Sequence, residues 1–297
     1  QHGHAFYEVD VLDELGNALS AESIQVSLNR IIREHEKNEE DLPVGVLTTL
    51  PRDEWASVRE GLLKNNANTL RSIDESLFAV CLSDQSPDGN IEKEARCMLH
   101  GMLRSLSLSL FLLPSQIPTP LSTGSARDRW FDKSFQLIVS QDGEAAINFE
   151  HAWGDGIAVV RFANEVHDFV SSPAFEFVGI EEKEESSYNE NYRRLKWDLD
   201  ADSVNAISDA AKRADDLIST IDYAVVQSDA INSSWAKSNK LSPDGLLQMI
   251  MQLAHYRLKG RAGSTYESAT TAAFKHGRRC DFSSFRLSIS LFSVAIS

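Results

Sequence analysis

The sequence predicts an α/β fold built as two domains. Three observations lead there. The chain has 297 residues, more than one average domain needs. Its first 200 residues alternate short apolar runs of strand length with segments of helical period. Within that alternation, Gln141-Asp142-Gly143-Glu144 separates two patterned segments, and Asp-Gly between such segments signals an antiparallel hairpin.

Taken in order, residues 5–11 read as a strand, followed by a turn at Glu14-Leu15-Gly16-Asn17. Ile24, Leu28, Ile31 and Ile32 recur at helical spacing, which predicts an amphipathic helix over 20–36. The charge-dense run 33–41 reads as its solvated end. Residues 44–47 read as a short strand. Pro51 then suits a first helical position, where its missing N–H costs nothing, and Trp55, Val58 and Leu62 form that helix's apolar face. The run 77–82 reads as a buried strand, and 135–140 with 145–150 as the hairpin. Residues 181–190 are acidic and polar, hence a surface loop. A helical period returns over 202–221 through Val204, Ile207, Ala211, Ala214 and Ile218, so a domain boundary falls near 197–200. Ser242-Pro243-Asp244 is a helix start, with Ser as N-cap, Pro at the first position and Asp at the positive end of the dipole. Gly260 ends that helix. Two segments, 102–126 and 282–297, read as edge strands or hydrophobic loops unlike their surroundings.

Several function classes are excluded by composition. A net charge of −15 is wrong for a general nucleic-acid binder, though it leaves room for a local basic patch. A hydrophobic fraction of 42% with 25% charged residues is that of a globular chain. No stretch reaches the ~18 apolar residues that cross a bilayer. Cys81, Cys97 and Cys280 are odd in number and widely spaced, against a disulfide framework or a cysteine zinc site. His2 and His4 alone do not make a metal site, and no metal is expected. There is no G-x-S-x-G, G-x-G-x-x-G or Walker A motif.

The chemistry concentrates in Asn148-Phe149-Glu150-His151-Ala152-Trp153-Gly154-Asp155-Gly156. His151 stands where the hairpin's second strand ends, a rigid place to hold a base. Imidazole is the side chain most often used to take a proton near neutral pH. Asp155, four residues on, is placed to orient the ring or to support the loop. Gly154 and Gly156 permit a sharp turn. By itself H-x-x-x-D-G is a weak pattern, since a His beside an Asp is more often structural.

The longer string is more specific. Arg129-Trp130-Phe131-Asp132-Lys133-Ser134-Phe135 precedes the hairpin, and the His151 block follows it. Thr265-Tyr266-Glu267-Ser268 and Ala272-Ala273-Phe274-Lys275-His276-Gly277-Arg278 come later, and residues 43–55 (PVGVLTTLPRDEW) come earlier. Together these ordered blocks closely resemble the carnitine/choline acyltransferase family. The later blocks are most similar to its mitochondrial type 2 carnitine palmitoyltransferases. The resemblance spans about residues 2–101 and 127–278.

The resemblance implies a fold of two chloramphenicol-acetyltransferase-like domains with mixed sheets and a site between them. Residues 1–198 would be the catalytic-histidine domain, with 102–126 as an atypical insertion. Residues 199–278 would begin the CoA/carnitine-binding domain, truncated, and 279–297 would be a divergent tail. His151 then matches the base that deprotonates the carnitine hydroxyl for attack on an acyl-CoA thioester, and Asp155 its supporting acid. Lys237, Lys240, Ser242 and Asp244 match the CoA-binding stretch ending in K-L-S-P-D. Tyr266 and Ser268 match positions near the carnitine carboxylate. The implied partners are acyl-CoA and carnitine, with coenzyme A as a substrate, no resident cofactor and no nucleic acid. The implied state is a mitochondrial monomer on the matrix side of the inner membrane, and the likeness allows peripheral membrane association.

Some positions depart from the family pattern. Ser233 stands where the family has the first of two lysines, the second being Lys237, which predicts weaker CoA binding. Arg279 stands where a carnitine-binding Thr is usual, and the likeness stops there. A truncated or mis-spliced gene would be expected to give such departures together with Gln1 in place of Met. The sequence therefore supports a long-chain carnitine O-acyltransferase first, and a catalytically incomplete fragment acting as a binding module second. A different H-x-x-x-D-G acyltransferase comes third, and Tyr266-Glu267-Ser268 argues against it.

Overall fold

The hairpin forms where the Asp-Gly pair falls. β3 (Phe135–Val139) and β4 (Ala145–Phe149) pair antiparallel, with Phe135 opposite Phe149 and Val139 opposite Ala145. Gly143 takes φ 87°, a left-handed angle that glycine adopts without strain. β2 (Ala79–Leu82) runs parallel to β3, so the three-stranded sheet β2-β3-β4 is mixed. The computed structural model describes residues 1–34, 41–83, 86–100, 126–175, 179–180, 185, 187–189, 191–263, 267–270 and 279–282. The segment 102–125 and residues 283–297 lie outside them.

Two compact units divide the chain, Gln1–Val225 and Val226–Ser297. In the first, β1 (Phe6–Val9) pairs antiparallel with β5 (Tyr192–Leu195). α1 (Ala21–Glu34) starts where Ser20 Oγ accepts the Ser23 N–H. α2 (Arg52–Glu75) is the longest helix, and α3 (Ile91–His100) ends near the sheet. α4 (Gly156–Val170) follows the hairpin, and α5 (Ala201–Ser219) is capped by Asp200, whose side chain accepts the Ser203 N–H. The second unit holds α6 (Ser233–Ser238), α7 (Pro243–Lys259) and the antiparallel pair β6 (Glu267–Thr270) and β7 (Arg279–Phe282).

The sequence and the structure differ at three places. Residues 44–47 are not a strand; Val44–Thr49 is a buried 3-10 helix. Four apolar residues read alike as a buried strand or a buried turn, and packing decides. Here Gly45 lies so close to residue 129 that a Cβ on it would stand 2.2 Å from the Arg129 carbonyl oxygen. Thr48 Oγ1 donates to the Gly45 carbonyl at 2.7 Å and so closes the turn internally. Pro51 sits one residue before α2, in extended conformation. Glu185 is buried rather than part of a solvated loop, because Arg33 pairs with its carboxylate and Arg30 donates to its carbonyl. α5 buries Ile207, Ala210, Ala211, Ala214 and Ile218 in the core of the first unit.

That core centres on aromatic rings. Trp130 packs edge-on against Phe6 at 5.6 Å and Trp55 at 5.9 Å, and stacks on Trp197 at 6.3 Å. Leu62, Leu70, Val44, Val46 and Leu47 surround them. Cys81 and Cys97 are buried thiols whose ionisation burial makes harder.

Gly45→Ala is expected to cost about 1–3 kcal/mol, because backbone must move to admit the methyl. Gly61→Ala, in α2 and with open space for a Cβ, is expected to stabilise by about 0.4–1 kcal/mol. Urea midpoints of the two variants check both signs. His100 provides a pH test. Burial, then the guanidiniums of Arg96 and Arg129, push its pKa below the ordinary imidazole value. A depressed folded pKa gives stability that is whole above the unfolded value of about 6.5 and is lost as pH falls toward the folded value. The urea midpoint should therefore drop less between pH 7 and pH 5 in His100→Gln than in the parent.

Candidate active site

β4 ends at Phe149, and Glu150 still donates its N–H to the Ser134 carbonyl at 3.0 Å. The chain then leaves the sheet. His151, Ala152 and Trp153 form a turn, and Asp155 is the residue before α4, with extended dihedrals and no side-chain capping bond. Its Oδ1 lies 3.6 Å from His151 Nε2. That separation is too long for a hydrogen bond. The His151 side chain is 54% exposed, whereas Asp155 is 25% exposed. Phe149 meets the imidazole edge-on at 5.7 Å. The ring thus lies between an aromatic side chain and a carboxylate and remains open to solvent. It can take a proton from an incoming hydroxyl or thiol.

His151 and Asp155 are thus brought together as the spacing implied. The glycines play a smaller part in the turn than expected. Neither Gly154 nor Gly156 has a positive φ, and a Cβ on Gly154 would meet nothing.

Sequence reasoning missed the groups that hold this turn. Trp153 Nε1 donates to the Ser134 carbonyl at 2.6 Å, and the Ala152 N–H is accepted by Glu150 Oε2 at 2.7 Å. Next to Ser134, the buried Lys133 ammonium donates to the Ile73 and Asp74 carbonyls at 2.6 and 2.8 Å. It thereby ties the start of β3 to the end of α2. The available signal was position alone, since Lys133, Ser134 and Trp153 all lie inside the blocks that drew attention.

Two of those blocks interlock. Asp132 accepts Trp55 Nε1–H at 2.5 Å and both Arg52 amino groups at 2.5 and 3.2 Å. Phe131 donates its N–H to Thr48 Oγ1 at 3.0 Å. Residues 43–55 and 129–135 are therefore one structure beneath the hairpin.

The second unit carries the basic candidates. Lys237 is exposed in the last turn of α6. Lys240 is exposed at φ 57°, in the turn that leads into α7. Ser242 caps α7 as expected, its Oγ accepting the Gly245 N–H at 3.2 Å, with Pro243 first and Asp244 in the first turn. Gly260 ends the helix in left-handed conformation. Ser268 lies in β6, with Asp281 as its backbone partner across the pair. Tyr266 lies outside the described residues. Among the described residues, no three His, Cys, Asp or Glu side chains gather as a metal site.

The model of the choline/carnitine O-acyltransferase family matches residues 1–281. The chain belongs to that family. Mitochondrial carnitine O-palmitoyltransferase 2 of Xenopus tropicalis is 36% identical over 275 residues, 92% of this chain and 38% of its own length. The Homo sapiens protein of that name is 35% identical over 275 residues, with the same coverage. Carnitine O-acetyltransferase of Mus musculus is 30% identical over 283 residues, 93% of this chain and 41% of its own. The chain thus spans about two fifths of the length of these curated relatives. The resemblance in the motif blocks agrees with this membership. In this member of the choline/carnitine O-acyltransferase family the mixed sheet and the flanking helices are α/β, as expected from the alternation.

Lys133→Met keeps the apolar stem but removes the ammonium from two helix-end carbonyls. It is expected to lower stability by about 1–3 kcal/mol, read as the urea midpoint of the chain.

Proposed function

We propose that this chain carries the base of a long-chain carnitine O-acyltransferase, which moves an acyl group between CoA and carnitine in mitochondrial fatty-acid oxidation. The observation that carries the reading is His151. It is an exposed imidazole at a rigid strand end, with a carboxylate 3.6 Å away, in a chain of the choline/carnitine family. The relatives' names support the acyl chemistry, and the higher identity to palmitoyl- than to acetyltransferases supports the longer chain.

In this reading the ring nitrogen turned away from Asp155 accepts the carnitine hydroxyl proton. The oxygen attacks the thioester carbonyl carbon, and a tetrahedral oxyanion forms. Its collapse breaks the C–S bond, and the imidazolium returns the proton to the departing thiolate. The Asp155 carboxylate stabilises the imidazolium between those two events. No covalent acyl-enzyme forms. Coenzyme A enters as a substrate, and the reaction calls for no resident cofactor.

Lys237 and Lys240 would pair with CoA phosphates, beside the α7 start formed by Ser242 and Asp244. Tyr266 and Ser268 would face the carnitine carboxylate. The reading includes the two chloramphenicol-acetyltransferase-like domains of the family and a monomer on the matrix side of the inner mitochondrial membrane. Any membrane contact would be peripheral. Among the described residues, no helix is long and apolar enough to cross a membrane.

His151→Ala in the full-length protein is expected to lower carnitine-dependent thiol release from palmitoyl-CoA by about 10²- to 10⁴-fold. Activity equal to the parent's removes His151 from the reaction.

A further inference from the structure

We infer that Trp153 is a positioning residue for His151, acting through the carbonyl of Ser134. The inference rests on the acyl-transfer reading of His151. The turn from His151 to Trp153 lies beyond the last β3–β4 residue pair, so no cross-strand ladder holds its backbone. Two hydrogen bonds take the ladder's place. Glu150 Oε2 accepts the Ala152 N–H at 2.7 Å and closes the backbone just after His151. Trp153 Nε1 reaches back to the Ser134 carbonyl at 2.6 Å. That carbonyl already accepts the Glu150 N–H at 3.0 Å, so its two lone pairs hold the chain on both sides of His151.

The acceptor is itself fixed. Ser134 follows Lys133, whose buried ammonium is bonded to the end of α2. The indole is 51% exposed. A tryptophan that half-exposed gains little from burial, so its hydrogen bond sets its orientation. With both ends pinned, the three-residue turn has little freedom to carry the imidazole away from Asp155. A base held loosely loses much of its effect, because proton transfer needs the reacting atoms within a fraction of an ångström of their working positions.

Trp153→Phe in the full-length protein keeps an aromatic ring and removes the indole N–H donor together with part of the ring's bulk. The expected result is a kcat roughly fivefold lower, with KM for carnitine and palmitoyl-CoA and the melting temperature unchanged. Diethyl pyrocarbonate should also modify His151 faster in the variant, as followed by peptide mass mapping. Unchanged kcat together with an unchanged modification rate overturns the inference. So does a lower kcat that comes with a lower melting temperature and an unchanged modification rate. His151→Ala is assayed in parallel. If it keeps full activity, the acyl-transfer reading fails, and the modification rate of His151 in Trp153→Phe still decides whether the indole holds the turn.

Discussion

The Asp132 carboxylate joins the parts on which the first unit depends. It accepts the Trp55 indole N–H and both amino groups of Arg52, and so locks the start of α2 to the segment that leads into β3. Two residues earlier Trp130 enters the aromatic core against Phe6, Trp55 and Trp197. Burying large aromatic rings supplies much of a core's stability, and edge-on contacts add specific geometry. A carboxylate beside that core is tolerable because three N–H donors satisfy it.

The constraint passes upward to the candidate site. Once residues 129–132 are fixed, Lys133 reaches the end of α2 and Ser134 leads into β3. Ser134 then receives both sides of the His151 turn through its carbonyl. The imidazole itself is solvent-facing, and the exposed hydrogen bonds that hold its turn rest on the buried and partly buried bonds of Lys133. Such an arrangement suits a base that must meet a substrate from solution and still keep its direction.

The net charge of −15 is compatible with this reading. A phosphate-bearing cosubstrate needs only a few local cations, and Lys237 and Lys240 lie exposed beside a capped helix start. The acidic remainder of the chain bears on general polyanion binding, which it disfavours, rather than on one small ligand.

Features set by a few neighbouring residues were legible in the sequence by itself. The Asp-Gly hairpin, the Ser242-Pro243 helix start and the Gly260 stop each depend on local dihedrals and local hydrogen bonds. Ile207, Ala211, Ala214 and Ile218 on the buried face of α5 followed from period, whereas Val204 in the same period is exposed, and a four-residue spacing across a strand end placed Asp155 near His151. Only the tertiary structure decided the rest. Residues 44–49 became a 3-10 helix because the backbone at Arg129, more than eighty residues away, presses on Gly45. Glu185 went inside because two arginines of α1 draw it there. α5 joined the first unit because its apolar face fills that core. Trp153 found its partner in Ser134 because the hairpin brings together residues nineteen apart. These outcomes depend on which distant surfaces meet, and the period and composition of a short segment carry no record of that.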